Sequence, residues 1–371
     1  MNAAHSGSCG AAPVRMRQTA ARSFTLVELL VAGAITVVLA ALTLAAVSAL
    51  LQQWNRASGR LAAAVQARLA LDQLALDLQG ALFRADGNVW LAATVLPDTS
   101  HSGRWLAAAV VAQGKPGNAS ARTLNLAAPT LADARCGVAG VWLRFFTTKP
   151  DTGATTADLS APVAVGYQLV RQGVTSSATA EPRYLLFRAE VRRTRTSSGA
   201  PGTFESGYNL DPAASPATPY QTANATAGDP GNLLRPPLGS VLADNVIDLG
   251  VRLYVRERGG LRLIFPARPA TAGDDPSGGT PTVAVPPSPE TEHLARALTP
   301  APADYYRHAF PEVVEVMLRV LSEEGARQLA AYEAGRLAPP AGVTPGDYWW
   351  TLAEANSEVF TRRIIILSRP I

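Results

Sequence analysis

The chain has 371 residues, room for one sizeable domain or two small ones, and a formal net charge of +4. Its two cysteines, Cys9 and Cys136, exclude a disulfide-dense scaffold. Three positive charges, Arg15, Arg17 and Arg22, precede the first apolar run; subtracting these three from +4 leaves +1, so the basic balance gives no argument for nucleic acid.

That run covers residues 24–51 and is 28 residues long. A membrane-crossing helix needs roughly 20. Glu28 is its single charge. An acid at mid-bilayer costs about 2.5–3.5 kcal/mol on insertion scales, so this one calls for a neutralising partner. A cut between Ser23 and Phe24 would free an α-amino group one helical turn from Glu28 and on the same helix face. An ordinary secretory signal would place its cut after the apolar region, and no A-x-A site stands before Trp54. Cys9 has no apolar stretch ahead of it, against a lipoprotein reading. A plain signal anchor explains the length and the flanking arginines and leaves Glu28 unexplained.

The segment Arg22-Ser23-Phe24-Thr25-Leu26-Val27-Glu28-Leu29-Leu30 resembles the N-terminal signal of type IV prepilins and type II secretion pseudopilins. It matches that family's F-T-L-V/I-E-L core over residues 24–29 and departs at Ser23, where the family usually has Gly. The resemblance implies a leader peptide at residues 1–23, removed by a prepilin peptidase that also methylates the new Phe24 amine. It implies that Glu28 serves assembly by pairing with the N-terminal ammonium of an adjacent subunit. Removal of the leader would leave Cys136 alone, without an intramolecular partner.

Beyond the apolar run, Trp54 suits the interfacial belt, and Arg56 and Arg60 suit the outer headgroup zone. Ala67, Leu71, Leu74, Leu78 and Leu82 then fall on one helical stripe, with Arg68, Asp72, Gln73 and Gln79 largely off it. No proline occurs over residues 24–96, and Gly80 or Gly87 offers an end. The spacing predicts one helix over 24–84, transmembrane at 24–51 and amphipathic at 52–84. Gly33, Thr36, Thr43 and Ser48 are small residues that let membrane helices approach closely.

Residues 85–371 read as an extracytoplasmic, β-rich domain. Strands are expected at residues 105–111, 140–147, 163–171 and 184–193 as neighbours in one antiparallel sheet. A loose insertion follows at about 194–237, dense in Ser, Thr, Ala, Pro and Gly. One strand is expected over 241–255, with a hairpin to 261–265, and a second loose stretch at about 266–302. Residues 313–321 read as a strand, Ser322 as the cap of a helix reaching Gly335, and 359–367 as the last strand. The fold class is thus α+β and pilin-like, a long N-terminal transmembrane helix packed on a mainly antiparallel β-sheet domain. The order of Trp54-Asn55-Arg56-Ala57-Ser58-Gly59-Arg60, Leu242-Ala243-Asp244-Asn245-Val246, Pro311-Glu312-Val313-Val314-Glu315-Val316 and Val359-Phe360-Thr361-Arg362-Arg363 also resembles the Verru_Chthon cassette protein C group of verrucomicrobial bacteria, and the larger minor pseudopilins.

No catalytic or cofactor motif stands out, so no enzyme activity and no cofactor are expected. Asp274-Asp275 read as solvated acids rather than a calcium site, and Glu290, Glu292 and His293 as a surface cluster. Of Trp349 and Trp350, one ring is expected in the core and one at the surface. Cys136 reads as a small buried apolar residue. The family resemblance implies a structural subunit, of minor type, in a type IV pilus-like or type II secretion filament. Its implied partners are the prepilin peptidase, other pilin-like subunits, an inner-membrane platform and a cytoplasmic assembly ATPase. The leader arginines keep the N-terminus cytoplasmic, which sends the remaining domain across the inner membrane to the periplasm. The alternative is a signal-anchored extracytoplasmic protein that binds a ligand, as an adhesin or DNA-uptake component; near-neutral charge favours no nucleic acid.

Overall fold

The computed structural model describes residues 25–95, 125–126, 128–137, 140–148, 162–173, 182–191, 210, 238–257, 260–266, 292–297, 306 and 308–367. The expected strand at 105–111 lies outside them. The chain divides into two compact units, Met1–Asn55 and Arg56–Ile371.

In the first unit the described residues are helical from Leu26 onward, the beginning of α1 (Leu26–Gln79). In the second unit the rest of α1 buries Ala63, Ala67, Ala70, Leu71, Leu74, Ala75 and Leu78. That is the expected leucine stripe thickened by alanines, which let the helix approach the sheet closely. The helix stops at Gly80 rather than reaching 84. The physical reason is a close approach: a Cβ on Gly80 would lie 2.8 Å from Thr147 Oγ1 and 3.1 Å from the Thr148 carbonyl oxygen. The chain then turns to run beside a strand, with the Thr148 amide donating to the Gly80 carbonyl and the Leu82 amide to the Phe146 carbonyl, both at 2.9 Å.

Among the described residues ten strands follow: β1 (Leu91–Val95), β2 (Val141–Thr148), β3 (Pro162–Gly173), β4 (Pro182–Val191), β5 (Val241–Asp244), β6 (Val246–Glu257), β7 (Gly260–Phe265), β8 (Glu292–Ala295), β9 (Val313–Leu321) and β10 (Ser357–Ile365). All described pairings are antiparallel. They make two sheets rather than the expected one: a six-stranded sheet ordered β5-β4-β3-β2-β1-β8 and a four-stranded sheet ordered β10-β9-β6-β7. The single run expected over 241–255 is where the chain first changes sheet. Asn245, at φ 57°, breaks it into β5 and β6. Asn tolerates this left-handed conformation because its short side chain bonds locally, and here its amide donates to Glu323 Oε2 at 3.2 Å.

One large core joins α1 to both sheets, with Leu143, Val165, Leu249 and Leu318 among its fully buried members. A second cluster gathers Trp90, Trp142 and Phe146 around Leu210, which the sequence placed in a loose insertion. β8 likewise sits inside the stretch expected to be loose over 266–302.

The helix α2 (Glu323–Glu333) starts as expected, with the Gly325 amide donating to Ser322 Oγ at 3.1 Å. A second short helix, α3 (Pro345–Ala355), was not anticipated, although Thr344 at its N-cap and Pro345 in its first turn are readable signals. It carries Trp349 and Trp350, 1% and 0% exposed, so both rings are buried, against the expectation of one inside and one outside. They meet edge to face at 4.9 Å between centroids, and Tyr184 of β4 lies 6.2 Å from Trp349.

Gly80→Val places branched carbons where Thr147 and Thr148 already stand. Overpacking of this kind costs about 1–3 kcal/mol. The expected outcome is a lower denaturation midpoint for the full chain in detergent; an unchanged midpoint would contradict the close helix-to-strand junction.

Candidate functional site

Leu26–Leu51 is a 26-residue helical segment long and apolar enough to cross a membrane. At 1.5 Å per residue it spans about 39 Å, more than the roughly 30 Å of hydrocarbon. Leu26, Leu29, Val37, Leu44 and Leu50 are all exposed within the chain. The hydroxyls in it are satisfied by the helix itself: Thr36 Oγ1 donates to the Ala32 carbonyl at 2.7 Å, Thr43 Oγ1 to Leu39 and Ala40, and Ser48 Oγ to Ala45 at 2.8 Å. Polar side chains bonded this way are tolerable in lipid, where no water can serve them.

Glu28 lies in the first turn of α1. The Thr25 amide donates to Glu28 Oε2 at 3.0 Å, Thr25 Oγ1 bonds the same oxygen at 3.1 Å, and the Glu28 amide donates back to Thr25 Oγ1 at 3.2 Å. This reciprocal capping box satisfies helix-start donors, and the helix dipole favours an anion there. Its signature, Thr-x-x-Glu, is readable in the sequence at Thr25 and Glu28. Both bonds to the carboxylate use Oε2. Ser23 and Phe24 lie outside the described residues.

In the second unit, polar side chains are buried as ties between elements. Asp77, in the last turn of α1, is 5% exposed. Arg188 of β4 grips it with two nitrogens, at 2.6 and 3.0 Å, and Tyr167 of β3 donates to it at 2.5 Å. Glu190 takes the remaining arm of Arg188 at 2.7 Å, and Thr147 Oγ1 donates to the Asp77 carbonyl at 2.7 Å. Burial and then the Asp77 charge push the Tyr167 phenol well above its ordinary range, so it stays a donor. Glu333 of α2 plays a matching part at the helical end, accepting from Arg171 and Trp349 at 2.9 and 2.8 Å and from the Tyr184 hydroxyl. On the four-stranded sheet, Arg252 and Arg319 donate to the carbonyls of Pro129 and Ala132 at 3.2 and 3.1 Å, fastening the 128–137 loop.

These clusters link secondary-structure elements and present no open constellation of nucleophile and base. Cys136 is buried, as expected; burial, then the Asp248 charge, pushes its thiol up and away from reactivity. Glu292 is exposed, accepting from Thr94 at 3.3 Å, whereas its neighbour His293 is buried at 2%, against the expected surface cluster. Glu290, Asp274 and Asp275 lie outside the described residues. Among the described residues no group of three or more His, Cys, Asp and Glu side chains is placed to hold a metal. Comparison with protein-family models, with curated proteins and with solved structures finds no match.

Breaking one side of a buried ion pair strands the other charge and costs about 3–5 kcal/mol. Arg188→Ala is expected to destabilise the full chain by about that much, whereas the double change Asp77→Leu with Arg188→Met, which removes the stranded acid, recovers part of it although Glu190 and Tyr167 lose a partner. Chemical denaturation of the three proteins decides; equal losses in the single and double variants would contradict the tie.

Proposed function

We propose that the chain is a prepilin-like structural subunit, processed between Ser23 and Phe24 by a prepilin peptidase that methylates the new amine. Its domain then lies on the outer side of the inner membrane, held by residues 26–51 until the subunit is drawn into a filament. The observation that carries this reading is the first turn of α1: a membrane-length apolar segment whose one acid, Glu28, sits directly after Ser23-Phe24-Thr25. The ammonium freed at Phe24 of a neighbouring subunit then pairs with Glu28. In a low-dielectric bundle a shifted register leaves a charge unpaired, so the pair specifies alignment.

Two further features support the reading. The remainder of α1 lays one face on a β-rich domain and leaves Leu61, Val65, Leu69 and Leu76 exposed on another face. Polar clusters around Asp77 and Glu333 tie helices to strands, which suits a domain that has to keep its shape in an assembly. The proposed partners are other pilin-like subunits, a membrane platform and a cytoplasmic ATPase, by analogy with the resembled family.

A second reading has one observation in its favour. The Thr25–Glu28 capping box gives the acid a local role that any signal anchor can use. Glu28→Gln separates the two, because glutamine preserves the box and removes the charge. The filament reading expects membrane insertion to persist and incorporation into filaments to fail, read by membrane fractionation and by immunoblotting of sheared filaments. Normal incorporation of Glu28→Gln would favour the plain anchor.

A further inference from the structure

β8 is the outermost strand of the six-stranded sheet and has only four residues. Residues 308–310 lie against it, and two histidines stitch the segments together. His293 Nε2 meets the Ala309 carbonyl at 2.8 Å, His308 Nδ1 meets the Leu294 carbonyl at 3.1 Å, and the Arg296 amide donates to the His308 carbonyl at 3.0 Å. Each imidazole therefore donates to a neutral carbonyl. Among the described residues neither is bonded to a carboxylate that would stabilise its charged form.

The surroundings of His293 are nearly apolar. Its strand partner on β1 is Ala93, and the Phe265 ring of β7 lies 6.4 Å away. The titratable group acting on it is His308, whose charge opposes a second one. Glu292 and Arg296 flank it on and just beyond its own strand, Glu292 turned outward to Thr94. Among the described residues, a proton on His293 thus lands in a site without a counter-charge.

We propose that β8 and residues 308–310 form a histidine latch that opens on acidification and bares the edge of β1. A bared strand edge is a row of unpaired amides and carbonyls ready to take another strand. Burial pushes His293 down to about 4, against the lift from the Ala309 carbonyl and with His308 adding to the fall. In the open form the ring regains its ordinary value of about 6.5. The latch is therefore fully stable above that pH and weakens as pH falls toward the closed-form value. Linkage makes opening roughly 20-fold more favourable at pH 5 than at pH 7.

Hydrogen exchange on the full chain in detergent, corrected for intrinsic rates, tests this. The expected result is a roughly 20-fold loss of protection for the amides of β8 and for those of β1 that face it between pH 7 and pH 5, while β6 and β9 keep theirs. His293→Gln places an amide nitrogen where Nε2 stands, so it retains a donor for Ala309 and cannot charge; it should abolish the pH dependence. Unchanged protection in the wild-type chain, an equal loss across both sheets, or a pH effect that survives in His293→Gln would overturn the proposal.

Discussion

A carboxylate at the end of a long helix holds this domain together. Asp77 sits in the last turn of α1, where the helix dipole disfavours an anion, and it is buried as well. It persists because Arg188 reaches it with two nitrogens and Tyr167 with a hydroxyl, from adjacent strands of the six-stranded sheet. Apolar burial alone would let a smooth Ala/Leu face slide or rotate on a sheet. A charge that meets its partners in one place fixes the rotation of α1 and the point where it must stop. Gly80 and the Thr147–Thr148 strand end then receive the chain as it leaves the helix.

The opposite end of α1 carries its own acid under a different constraint. Glu28 is in the first turn, where the dipole favours it and Thr25 caps it. The mid-bilayer penalty is therefore an upper bound for this residue, and the acid is less costly than its apolar surroundings imply. What remains is a charge at the mouth of an apolar helix, with the capping bonds gathered on one oxygen. A helix that begins and ends on carboxylates, each in its own way satisfied, suits a part that has to be positioned at both ends.

Much of the fold was legible because period and punctuation agree. The α1 stripe at Ala67, Leu71, Leu74 and Leu78, the strand β9 and the Ser322 cap follow from spacing and side-chain chemistry. β1 escaped because Leu-Ala-Ala-Thr-Val has little β-branched or aromatic signal; pairing with β2 and β8 makes it a strand. β8, at four residues, is too short to show alternation and lies in a Pro- and Gly-rich neighbourhood. The first crossing between the two sheets passes through Asn245, whose left-handed backbone no hydrophobic pattern encodes. Of the candidate site, Glu28 stood out by its charge; its partner Thr25 needed the capping signature. Asp77 was hidden because an acid beside a leucine stripe ordinarily faces water, and its partners are 90 and 111 residues away in sequence.

The central proposal is that cleavage frees an amine at Phe24 and that Glu28 of a neighbouring subunit pairs with it. Mass spectrometry of the N-terminal peptide, taken from cells that process prepilins, tests it most directly. The account predicts a mature chain beginning at Phe24 with one methyl group on its amine. A mature chain still beginning at Met1, or cut on the far side of the apolar segment, would contradict it.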